Sequence, residues 1–511
     1  MNAPKPPFAD LPARIAAHAR ERPEARAVVC GDAAVSYRAF DALADRVAAA
    51  LQREGRGPGD CIAVCAGSSI GYLAVFVGAL RAGLAVAPLA PGSTPQQLAA
   101  MAADAGACCV FSDGDSRVDW PAPRLALDDS ADCAALGAWL AAAGAKPAAV
   151  AIDPDWPFNL IYSSGTTGTP KGIVQPHAMR QAHIERARQS GYGPDAVTLI
   201  ATPLYSNTTL VALIPTLAYG GTVVLMPRFE AEAYLALAER HRATHTILVP
   251  VQYQRVMACP GFGRHDLSTF RFKACTSAPF HPELKADVLA RWPGALVEYY
   301  GMTEGGGTCI LQAHLHPAKL HTVGQPAPGH DIRLIDEQGR EVPRPDGGAS
   351  VGSGEVVGRS PGMMSGYHRR PEASAAAEWF DAEGRRYIRT GDIGRFDEDG
   401  FLVLHDRLKD MIISGGFNVY PSDLEAVLRR HPGLADAAVV GVPSAEWGET
   451  PVAFAVPALG ADVEAEAIRA WVNAQVGKTQ RLAGLRLLSE LPRSAIGKVL
   501  KRELRERWSA A

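Results

Sequence analysis

The feature that most constrains this chain is an alternation of short apolar runs and alanine-rich helical stretches in its first half. Cys61–Ala66, Leu84–Leu89 and Ala107–Phe111 have the length and composition of buried strands. Gly71–Arg81 and Pro95–Asp104 lie between them and predict helices. Because a strand-helix-strand order is typical of a parallel sheet covered by helices, the alternation predicts an α/β fold.

The pattern resumes in the middle of the chain and then changes character twice. Thr198–Thr202, Thr222–Met226 and Thr246–Pro250 predict further strands. After about residue 323 the strands are short and separated by turns such as Asp399-Gly400, and from about residue 410 a compact α+β pattern follows. A single core rarely exceeds roughly 250–300 residues. We therefore expect a large N-terminal domain of helix-covered sheets with a β-rich subdomain, and a small α+β C-terminal domain.

Composition and charge describe an ordinary globular protein. Apolar residues make up 47% of the chain, charged residues 21%, and the net charge is −3, which predicts no nucleic-acid partner. Nine cysteines are scattered without a C-x-x-C pair, as expected for reduced thiols in a cytosolic protein. No apolar run resembles a signal peptide or a membrane span. We therefore expect a cytoplasmic protein with no integral membrane contact.

The strongest local motif is a polar loop that follows the apolar run Phe158–Tyr162. The segment Ser163–Gly172 contains three glycines, five hydroxyl side chains and one lysine. Glycines let backbone N–H groups turn toward an anion, hydroxyls donate to phosphate oxygens, and lysine adds a positive charge. Pro170 and Gly172 distinguish the loop from a Walker A motif, and a polar surface loop is the alternative. The candidate phosphate contacts are Ser163, Ser164, Gly165, Thr166, Thr167, Gly168 and Lys171.

This loop resembles the signature of the acyl-adenylate-forming superfamily, which includes acyl-CoA synthetases, adenylation domains and firefly-type luciferases. Segments similar to the other motifs of this family follow in order at Tyr299–Glu304, Tyr387–Asp392, Asp406–Asp410, Ser414–Val419 and Leu491–Lys498. Each motif alone is moderate evidence, but their order makes coincidence negligible. The resemblance implies ATP, Mg²⁺ and coenzyme A as cofactors.

The resemblance assigns roles around the base and the phosphates. Glu298, Tyr299 and Tyr300 are candidate cofactor-binding residues, with the ring of Tyr300 stacked on adenine. Thr303 would hold the α-phosphate. Glu304 would ligate Mg²⁺, which prefers carboxylate oxygen.

The same resemblance assigns the ribose and the reacting groups. Asp392 would accept the ribose hydroxyls, supported by Arg407. Lys498 would neutralise charge where the attacking carboxylate and the α-phosphate otherwise repel each other. The implied catalytic residues are Lys171, Thr303, Glu304 and Lys498.

A moving C-terminal domain is also implied by the resemblance. The expected organisation is an AMP-binding N-terminal domain at 1–406 with its β-rich subdomain at about 323–406, a hinge at 407–409 that contains Lys409, and a catalytic lid at 410–511. In one conformation Lys498 completes the adenylation site. After rotation, Gly415 and Gly416 would line a tunnel for the CoA thiol, because glycine permits close backbone approach.

The acyl pocket departs from the family pattern. Ser206 stands where many CoA ligases carry a histidine that helps to gate this pocket. The three glycines at 305–307 are expected to leave room beside the substrate. No lysine or arginine except Arg255 is a candidate to point inward, so we predict a monocarboxylate with an apolar or aromatic body and poor use of malonate or succinate. The candidate pocket residues are Tyr205, Ser206, Asn207, Thr208, Thr276 and Gly306.

Two other patterns suggest different chemistry and are given ordinary structural roles. Gly67–Gly71 matches the G-x-S-x-G turn of hydrolases, but the chain has no His-Gly-Gly-Gly segment, so we expect a helix-capping serine there. His241 and His245 are spaced as metal ligands might be, but they lack the intervening glutamate of a zinc motif. We therefore expect them at the surface.

Together these observations predict an acid–thiol ligase. A carboxylic acid and ATP would give acyl-AMP and pyrophosphate, and acyl-AMP and CoA would give acyl-CoA and AMP. The alternative is a free-standing adenylating enzyme that loads an acyl carrier protein. A homodimer is compatible with this interpretation, and the context of Lys498 resembles sites that protein acetyltransferases modify.

Overall fold

The structure is a computed structural model that describes residues 8, 10–114, 117–163, 171–344, 348–407, 410–414, 417–444, 447–477, 480–494 and 497–509. Side chains at 163, 406–407 and 417–418 are not described. Helices and strands alternate through the first 300 residues, which confirms the α/β class. The helices are α1 (Leu11–Glu21), α2 (Tyr37–Arg53), α3 (Ile70–Arg81), α4 (Pro95–Asp104), α5 (His177–Ala187), α6 (Asn207–Ala218), α7 (Ala231–Arg240), α8 (Pro250–Met257), α9 (Pro282–Arg291), α10 (Pro371–Ala376), α11 (Pro421–Arg429), α12 (Ala465–Asn473) and α13 (Lys501–Ser509).

The strands form four sheets. Those before residue 327 are β1 (Arg26–Cys30), β2 (Ala33–Ser36), β3 (Cys61–Cys65), β4 (Ala85–Pro88), β5 (Ala107–Ser112), β6 (Arg124–Ala126), β7 (Pro157–Ser163), β8 (Lys171–Pro176), β9 (Val197–Ile200), β10 (Thr222–Leu225), β11 (His245–Leu248), β12 (Phe272–Cys275), β13 (Ala295–Met302), β14 (Gly305–Gln312) and β15 (Gln325–Pro326). The later ones are β16 (Asp331–Ile335), β17 (Gly354–Arg359), β18 (Gly366–Tyr367), β19 (Glu378–Phe380), β20 (Arg386–Phe396), β21 (Leu402–Arg407), β22 (Ile412–Ser414), β23 (Phe417–Val419), β24 (Leu434–Ser444), β25 (Gly448–Pro457) and β26 (Gly484–Leu487).

Two large sheets carry most of the molecule. The first has nine strands in the order β15-β14-β13-β12-β11-β9-β10-β1-β2, parallel in its centre and antiparallel at both edges. The second has seven strands in the order β18-β8-β7-β4-β3-β5-β6. Its parallel strands follow the predicted alternation, whereas β7 and β8 are an antiparallel pair on either side of the candidate phosphate loop.

The main core lies around α3. Almost all of this helix is buried, from Ile70 to Leu80, as expected for a helix that is apolar on every side. Ser69 begins it by accepting a hydrogen bond from the N–H of Tyr72 at 3.1 Å, so the predicted helix cap is confirmed. A Cβ added to Gly78 would lie 2.6 Å from the Cβ of Val47, so this glycine permits the close approach of α2 and α3.

The smaller sheets follow the two changes in sequence pattern. Strands β16, β17, β20, β19 and β21 form one five-stranded sheet, and β20 and β21 are paired through the Asp399-Gly400 turn. Strands β22 to β26 form the other, with α11 and α12 packed against it through Leu424, Ile468 and their neighbours. The proposed hinge residues 408–409 lie outside the described residues, and the boundaries drawn there stay predictions.

Two further expectations concern buried groups and membranes. All nine cysteines are free, and six of them are buried. His245 is fully buried on β11, so its predicted surface position is wrong; its Nε2 lies 3.0 Å from the carbonyl oxygen of Ser190. Within the described ranges, no helix is both long enough and apolar enough to cross a membrane.

Candidate active site

A cavity of about 3150 Å³ lies between the large N-terminal sheets and the C-terminal sheet. It opens at the carboxyl ends of the parallel strands, which is where ligands bind in open α/β sheets. The segments after β9 and β12 enter it, as do the end of β13 and the turn that follows. The cavity therefore collects residues that are far apart in the sequence.

Most of the predicted site residues line this one cavity. They come from both large sheets, from the β-rich part and from the C-terminal part. The lining residues among them are Lys171, Tyr205, Ser206, Asn207, Thr208, Thr276, Glu298, Tyr299, Tyr300, Thr303, Glu304, Asp392 and Lys498.

Other predicted residues have no described side chain in the structure. Ser163 ends β7 and Arg407 ends β21, where its backbone pairs with Asp392, but neither side chain is described. The remaining ones lie outside the described residues: Ser164, Gly165, Thr166, Thr167, Gly168, Lys409, Gly415 and Gly416. Their predicted roles stay predictions.

Gly306 does not belong to the acyl pocket, which corrects the prediction. It is buried and does not line the cavity. A Cβ there would lie 2.9 Å from the carbonyl oxygen of Gly358, and one on Gly307 would lie 1.6 Å from Cδ1 of Ile332. These glycines make room for the β-rich sheet and not for a substrate.

The turn between β13 and β14 presents Thr303 and Glu304. The hydroxyl of Tyr367 donates to Oε1 of Glu304 at 2.8 Å, and Nζ of Lys171 lies 5.1 Å from the centroid of the Tyr367 ring. Gly305 has a φ of +80°, and a Cβ there would lie 2.1 Å from the carbonyl oxygen of Gly362. The Glu304 carboxylate in this tight turn and the Lys171 ammonium group on β8 thus lie near the same ring, that of Tyr367.

This group fits a magnesium ion that is bound together with phosphates. Mg²⁺ usually takes one or two protein carboxylates and completes its shell with phosphate oxygens and water. Glu304 supplies one carboxylate at the cavity wall. Among the described residues, no cluster of three or more metal-ligating side chains exists, so an ion held here would depend on the nucleotide.

Tyr300 and Asp392, which the sequence predicts to contact the base and the ribose, meet at one wall of the cavity. The Tyr300 hydroxyl donates to Oδ2 of Asp392 at 2.8 Å, and the backbone N–H of Asp392 donates to Oγ1 of Thr390 at 3.0 Å. Burial, together with the nearby Asp392 charge, raises the pKa of Tyr300 well above its usual range. The phenol therefore stays protonated, and its position is fixed before any nucleotide arrives.

Glu298 forms an ion pair that sequence reasoning did not anticipate. Its carboxylate contacts Nζ of Lys285, and both side chains are buried. Lys285 also donates to the carbonyl oxygens of Leu320 and Thr322 at 2.7 and 3.1 Å. Burial raises the pKa of Glu298, while the Lys285 charge opposes this shift. The Glu298 carboxylate is already paired with Lys285, so this ion pair stabilises the floor of the cavity.

The segment after β9 begins α6 and lines the part of the cavity where the sequence predicts the acyl group, which we call the acyl side; its predicted residues are Tyr205, Ser206, Asn207, Thr208 and Thr276. Ser206 caps this helix by accepting a hydrogen bond from the N–H of Thr208 at 3.3 Å. Oγ1 of Thr208 lies 2.5 Å from Oγ of Ser277, whose φ is +84°. Ser206 thus takes part in helix capping, a role that its short side chain allows.

A buried arginine connects the acyl side to the predicted nucleotide side, the part of the cavity lined by Glu298, Tyr300, Thr303, Glu304 and Asp392. Arg180 on α5 is 1% exposed, and its guanidinium donates to Oδ1 of Asn159 and of Asn207, each at 3.0 Å. It also donates to Oε1 of Gln175, whose Nε2 donates to the carbonyl oxygen of Thr303 at 2.6 Å. All these acceptors are neutral, and burial lowers the pKa of Arg180 to about 9.

The far end of the acyl side holds a second arginine that sequence reasoning also missed. Arg186 lies in the last turn of α5 and lines the cavity, with its guanidinium carbon 5.6 Å from the centroid of the Tyr299 ring. His183 and His330 line the same region. The expectation that no cation points inward is therefore wrong, and the cation is not Arg255, which is exposed and does not line the cavity.

Lys498 is brought to the cavity by a loop of the C-terminal part. Its backbone N–H donates to Oγ of Ser494 at 3.2 Å, and its carbonyl oxygen accepts from the N–H of Ser494 at 2.8 Å. Gly497 has a φ of +76°, and a Cβ there would lie 2.6 Å from Cγ1 of Val251 at the start of α8. The loop thus packs directly against the N-terminal part, on the same cavity as Thr303 and Glu304.

Comparison with known proteins identifies the family. The profile described as AMP-binding enzyme matches residues 15–368, and the one described as AMP-binding enzyme C-terminal domain matches residues 423–498. Feruloyl-CoA synthase from Amycolatopsis sp is 33% identical over 499 residues, covering 96% of this chain and 97% of that protein. The chain therefore belongs to the AMP-binding enzymes, in the acyl-CoA ligase branch of the acyl-adenylate-forming superfamily.

Two further similarities concern the acceptor and the nucleotide. The fatty acid–[acyl-carrier-protein] ligase ScoC from Streptomyces coeruleorubidus is 30% identical over 508 residues, covering 96% of this chain and 95% of that protein. The ATP-bound structure of MatB from Rhodopseudomonas palustris superposes with a TM-score of 0.85 at 29% identity, covering 98% of both chains. ATP is thus a ligand of a protein with the same fold over nearly its whole length.

Proposed function

We propose that this enzyme activates an aromatic carboxylic acid as its acyl-adenylate and transfers the acyl group to coenzyme A. The observation that carries the proposal is that Lys498, from the C-terminal part, lines the same cavity as Thr303 and Glu304, which form the turn after β13. A cation between two anionic reactants and a carboxylate beside the phosphates are what adenylation requires. The similarity to feruloyl-CoA synthase supports the class of acid.

In the first step, a carboxylate oxygen attacks the α-phosphorus of ATP and the bond to pyrophosphate breaks. The Lys498 ammonium lowers the repulsion between the two anions in the transition state, and the hydroxyl of Thr303 donates to the α-phosphate. Lys171 and the loop before it hold the outer phosphates. Glu304 would hold Mg²⁺, which would supply charge neutralisation at the phosphates. Asp392 accepts the ribose hydroxyls, with its carboxylate held by Tyr300.

In the second step, the thiol sulfur of CoA attacks the acyl carbon and AMP leaves. The loop of Lys498 packs against Val251 at the start of α8 in this structure, and the C-terminal part is proposed to move before a thiol enters. The motion is proposed to occur at Lys409, after which Gly415 and Gly416 line the thiol tunnel. Such domain closures commonly gate catalysis.

The walls of the acyl side favour an aromatic body. Tyr192 and Phe272 are nearly buried and line the cavity, with ring centroids 6.2 Å apart. Ile247 and Ala274 continue the same apolar surface along β11 and β12. Aromatic substrates bury a large area on such walls and are oriented by edge-to-face contacts.

An acyl carrier protein is the second candidate acceptor. The similarity to a fatty acid–carrier-protein ligase favours it, since carrier loading and CoA loading share the first step. The distinction lies only in the thiol that reaches the acyl-adenylate.

The test uses purified enzyme, ATP, Mg²⁺ and cinnamate, with pyrophosphate release and CoA consumption measured separately. We expect acid-dependent pyrophosphate release, AMP formation and one CoA consumed for each AMP. Pyrophosphate release without CoA consumption would reject the CoA proposal in favour of a carrier protein. Omission of Mg²⁺ should abolish the first step.

The same proposal includes residence in the cytoplasm, a homodimeric state and silencing by acetylation of Lys498. Full pyrophosphate release by the acetylated enzyme would reject the silencing.

A further inference from the structure

The far end of the acyl side presents hydrogen-bond donors that lack an acceptor. Arg186 has no hydrogen bond and no ion pair with any described residue, and its guanidinium lies over the ring of Tyr299. The guanidinium is a donor only and stays charged in proteins. Burial lowers the pKa of Arg186, and no carboxylate acts against this shift. A half-buried charge without a partner is costly unless a ligand supplies one.

Two histidines add further donors to the same region. Nδ1 of His330 accepts the backbone N–H of Thr308 at 3.0 Å, so the ring proton lies on Nε2. Nδ1 of His183 faces an Arg180 nitrogen at 3.3 Å and, since arginine only donates, the proton of His183 also lies on Nε2. Neither Nε2 atom has a hydrogen-bond partner in the described part of the chain, and His183, Arg186 and His330 all line the cavity.

Both histidines are neutral, and of the two arginines near them Arg180 already has acceptors, so the positive charge without an acceptor is that of Arg186. Burial, followed by repulsion from Arg186, lowers the pKa of His330 to about 4. The pKa of His183 is lowered well below its usual value by burial and by the charges of Arg186 and Arg180. Glu185, the acidic neighbour of Arg186 in sequence, accepts instead from Nε2 of Gln181 at 3.0 Å. The three side chains thus form a donor cluster without a counter-ion.

We propose that Arg186, with His183 and His330, binds a second carboxylate at the end of the acid remote from the reacting one. The inference rests on the proposed ligase function and specifies its substrate as a dicarboxylate with an aromatic or other apolar spacer. A carboxylate matches the planar fork of a guanidinium and can also accept from the two imidazoles. The apolar walls at Phe272 and Ala274 enclose the spacer.

The length of the acid follows from β13. Arg186 lies beside Tyr299, while the reacting group lies near Thr303, four residues further along the chain. At about 3.3 Å per residue, this spacing makes the span between the two carboxylates on the order of 10 Å. Malonate is too short to reach both ends, so the predicted poor use of malonate and succinate is retained, whereas the predicted monocarboxylate is replaced.

The experiment compares acids that differ only at the remote end, with pyrophosphate release as the measurement. Cinnamate, 4-hydroxycinnamate and 4-carboxycinnamate form one series, and octanoate and octanedioate form a second. We expect kcat/KM for the dicarboxylate to exceed that of its parent by roughly 10- to 100-fold, the usual worth of a hydrogen bond to a charged group. Arg186→Leu should remove this preference while the KM for ATP is retained.

The matched control is Arg188→Leu, because Arg188 is exposed just beyond α5 and does not line the cavity. It should leave the preference unchanged. Equal kcat/KM for parent and dicarboxylate in the unmodified enzyme, a best rate with 4-hydroxycinnamate, or an equal loss with both acids in Arg186→Leu would each overturn the assignment. Pyrophosphate release is independent of the thiol, so a failed CoA assay rejects the proposed acceptor and leaves this inference standing. No turnover with either series rejects both.

Discussion

The nucleotide side and the acyl side of the cavity differ in how their charges are satisfied. On the nucleotide side, the chain supplies its own partners: Lys285 is paired with Glu298, Arg389 with Glu355, and the Tyr300 hydroxyl with Asp392. On the acyl side, Arg186 and its two histidines have no acceptor among the described residues. A region with internal partners is fixed before binding, whereas one without them is completed by its ligand. The chemistry of the substrate is therefore easier to infer from the acyl side.

The largest loss of stability is expected on the nucleotide side, where charged side chains are paired within the chain. Lys285→Met leaves the buried Glu298 carboxylate without a partner, which typically costs about 3–5 kcal/mol of unfolding free energy. Urea unfolding measures this loss. The double variant Lys285→Met with Glu298→Gln should recover most of it, because no uncompensated charge remains.

The matched change on the acyl side is Arg186→Leu, which also removes a cation. The free energy of unfolding should change by less than about 1 kcal/mol or increase, because an unpaired charge is removed. If Arg186→Leu is as destabilising as Lys285→Met, the two sides do not differ in whether their charges are paired within the chain.

The next effect concerns the reacting centre between the two sides. Lys498→Ala should lower pyrophosphate release by roughly 100-fold, the usual worth of one preorganised transition-state contact. Acyl transfer from supplied acyl-AMP to CoA should persist, since that step uses a different domain arrangement. Arg469→Ala on α12 is the control, because Arg469 contacts Glu466 away from the cavity. An equal loss in both half-reactions would argue against a role confined to adenylation.

A smaller effect on adenylation is expected where the loop of Lys498 contacts the start of α8. Gly497→Ala places a Cβ 2.6 Å from Cγ1 of Val251 and does so at a φ of +76°. Overpacking of this kind costs about 1–3 kcal/mol, so adenylation should fall about tenfold or more. Val251→Ala in the same chain should restore part of the rate. If the second substitution restores nothing, the defect comes from the backbone conformation alone.

A further effect is a pH dependence of stability at His245, whose ring packs against Tyr192 and Phe272 of the cavity wall. Burial lowers the pKa of His245 to about 4, whereas an unfolded histidine titrates near 6.5. Between these values the unfolded chain binds a proton that the folded chain does not, so the free energy of unfolding falls as the pH is lowered from about 6.5 to 4. At pH 5 this group contributes a loss of about 1–2 kcal/mol. His245→Gln should reduce the difference between unfolding at pH 7 and at pH 5, and an unchanged difference would show that other groups dominate.

The sequence predicted the residues of the nucleotide side better than those of the acyl side. Thr303, Glu304, Asp392 and Lys498 lie in short motifs with a fixed chemical purpose, and the structure brings all four to one cavity. The alternation of strands and helices was equally informative, since it reflects which segments are buried. The helix at Pro95–Asp104 was predicted with its observed ends.

The acyl side required the three-dimensional structure. Arg186 belongs to α5, where buried and partly exposed residues are mixed around the helix, so no apolar stripe shows which face meets the cavity. Gly306 was misinterpreted because a run of glycines shows that something comes close, without showing whether it is a ligand or another strand. The core position of His245 depends on its pairing with neighbouring strands, which spacing alone does not reveal.

The hydrogen bonds of Arg180 have a consequence for how the enzyme handles two substrates. Asn207 is proposed to face the acid and Thr303 the nucleotide, and both are anchored through Arg180 and Gln175. A displacement of either wall is therefore transmitted to the other within one buried network. Occupancy of one half can adjust the alignment of the other, so the acid and ATP are expected to sense each other before any bond is made.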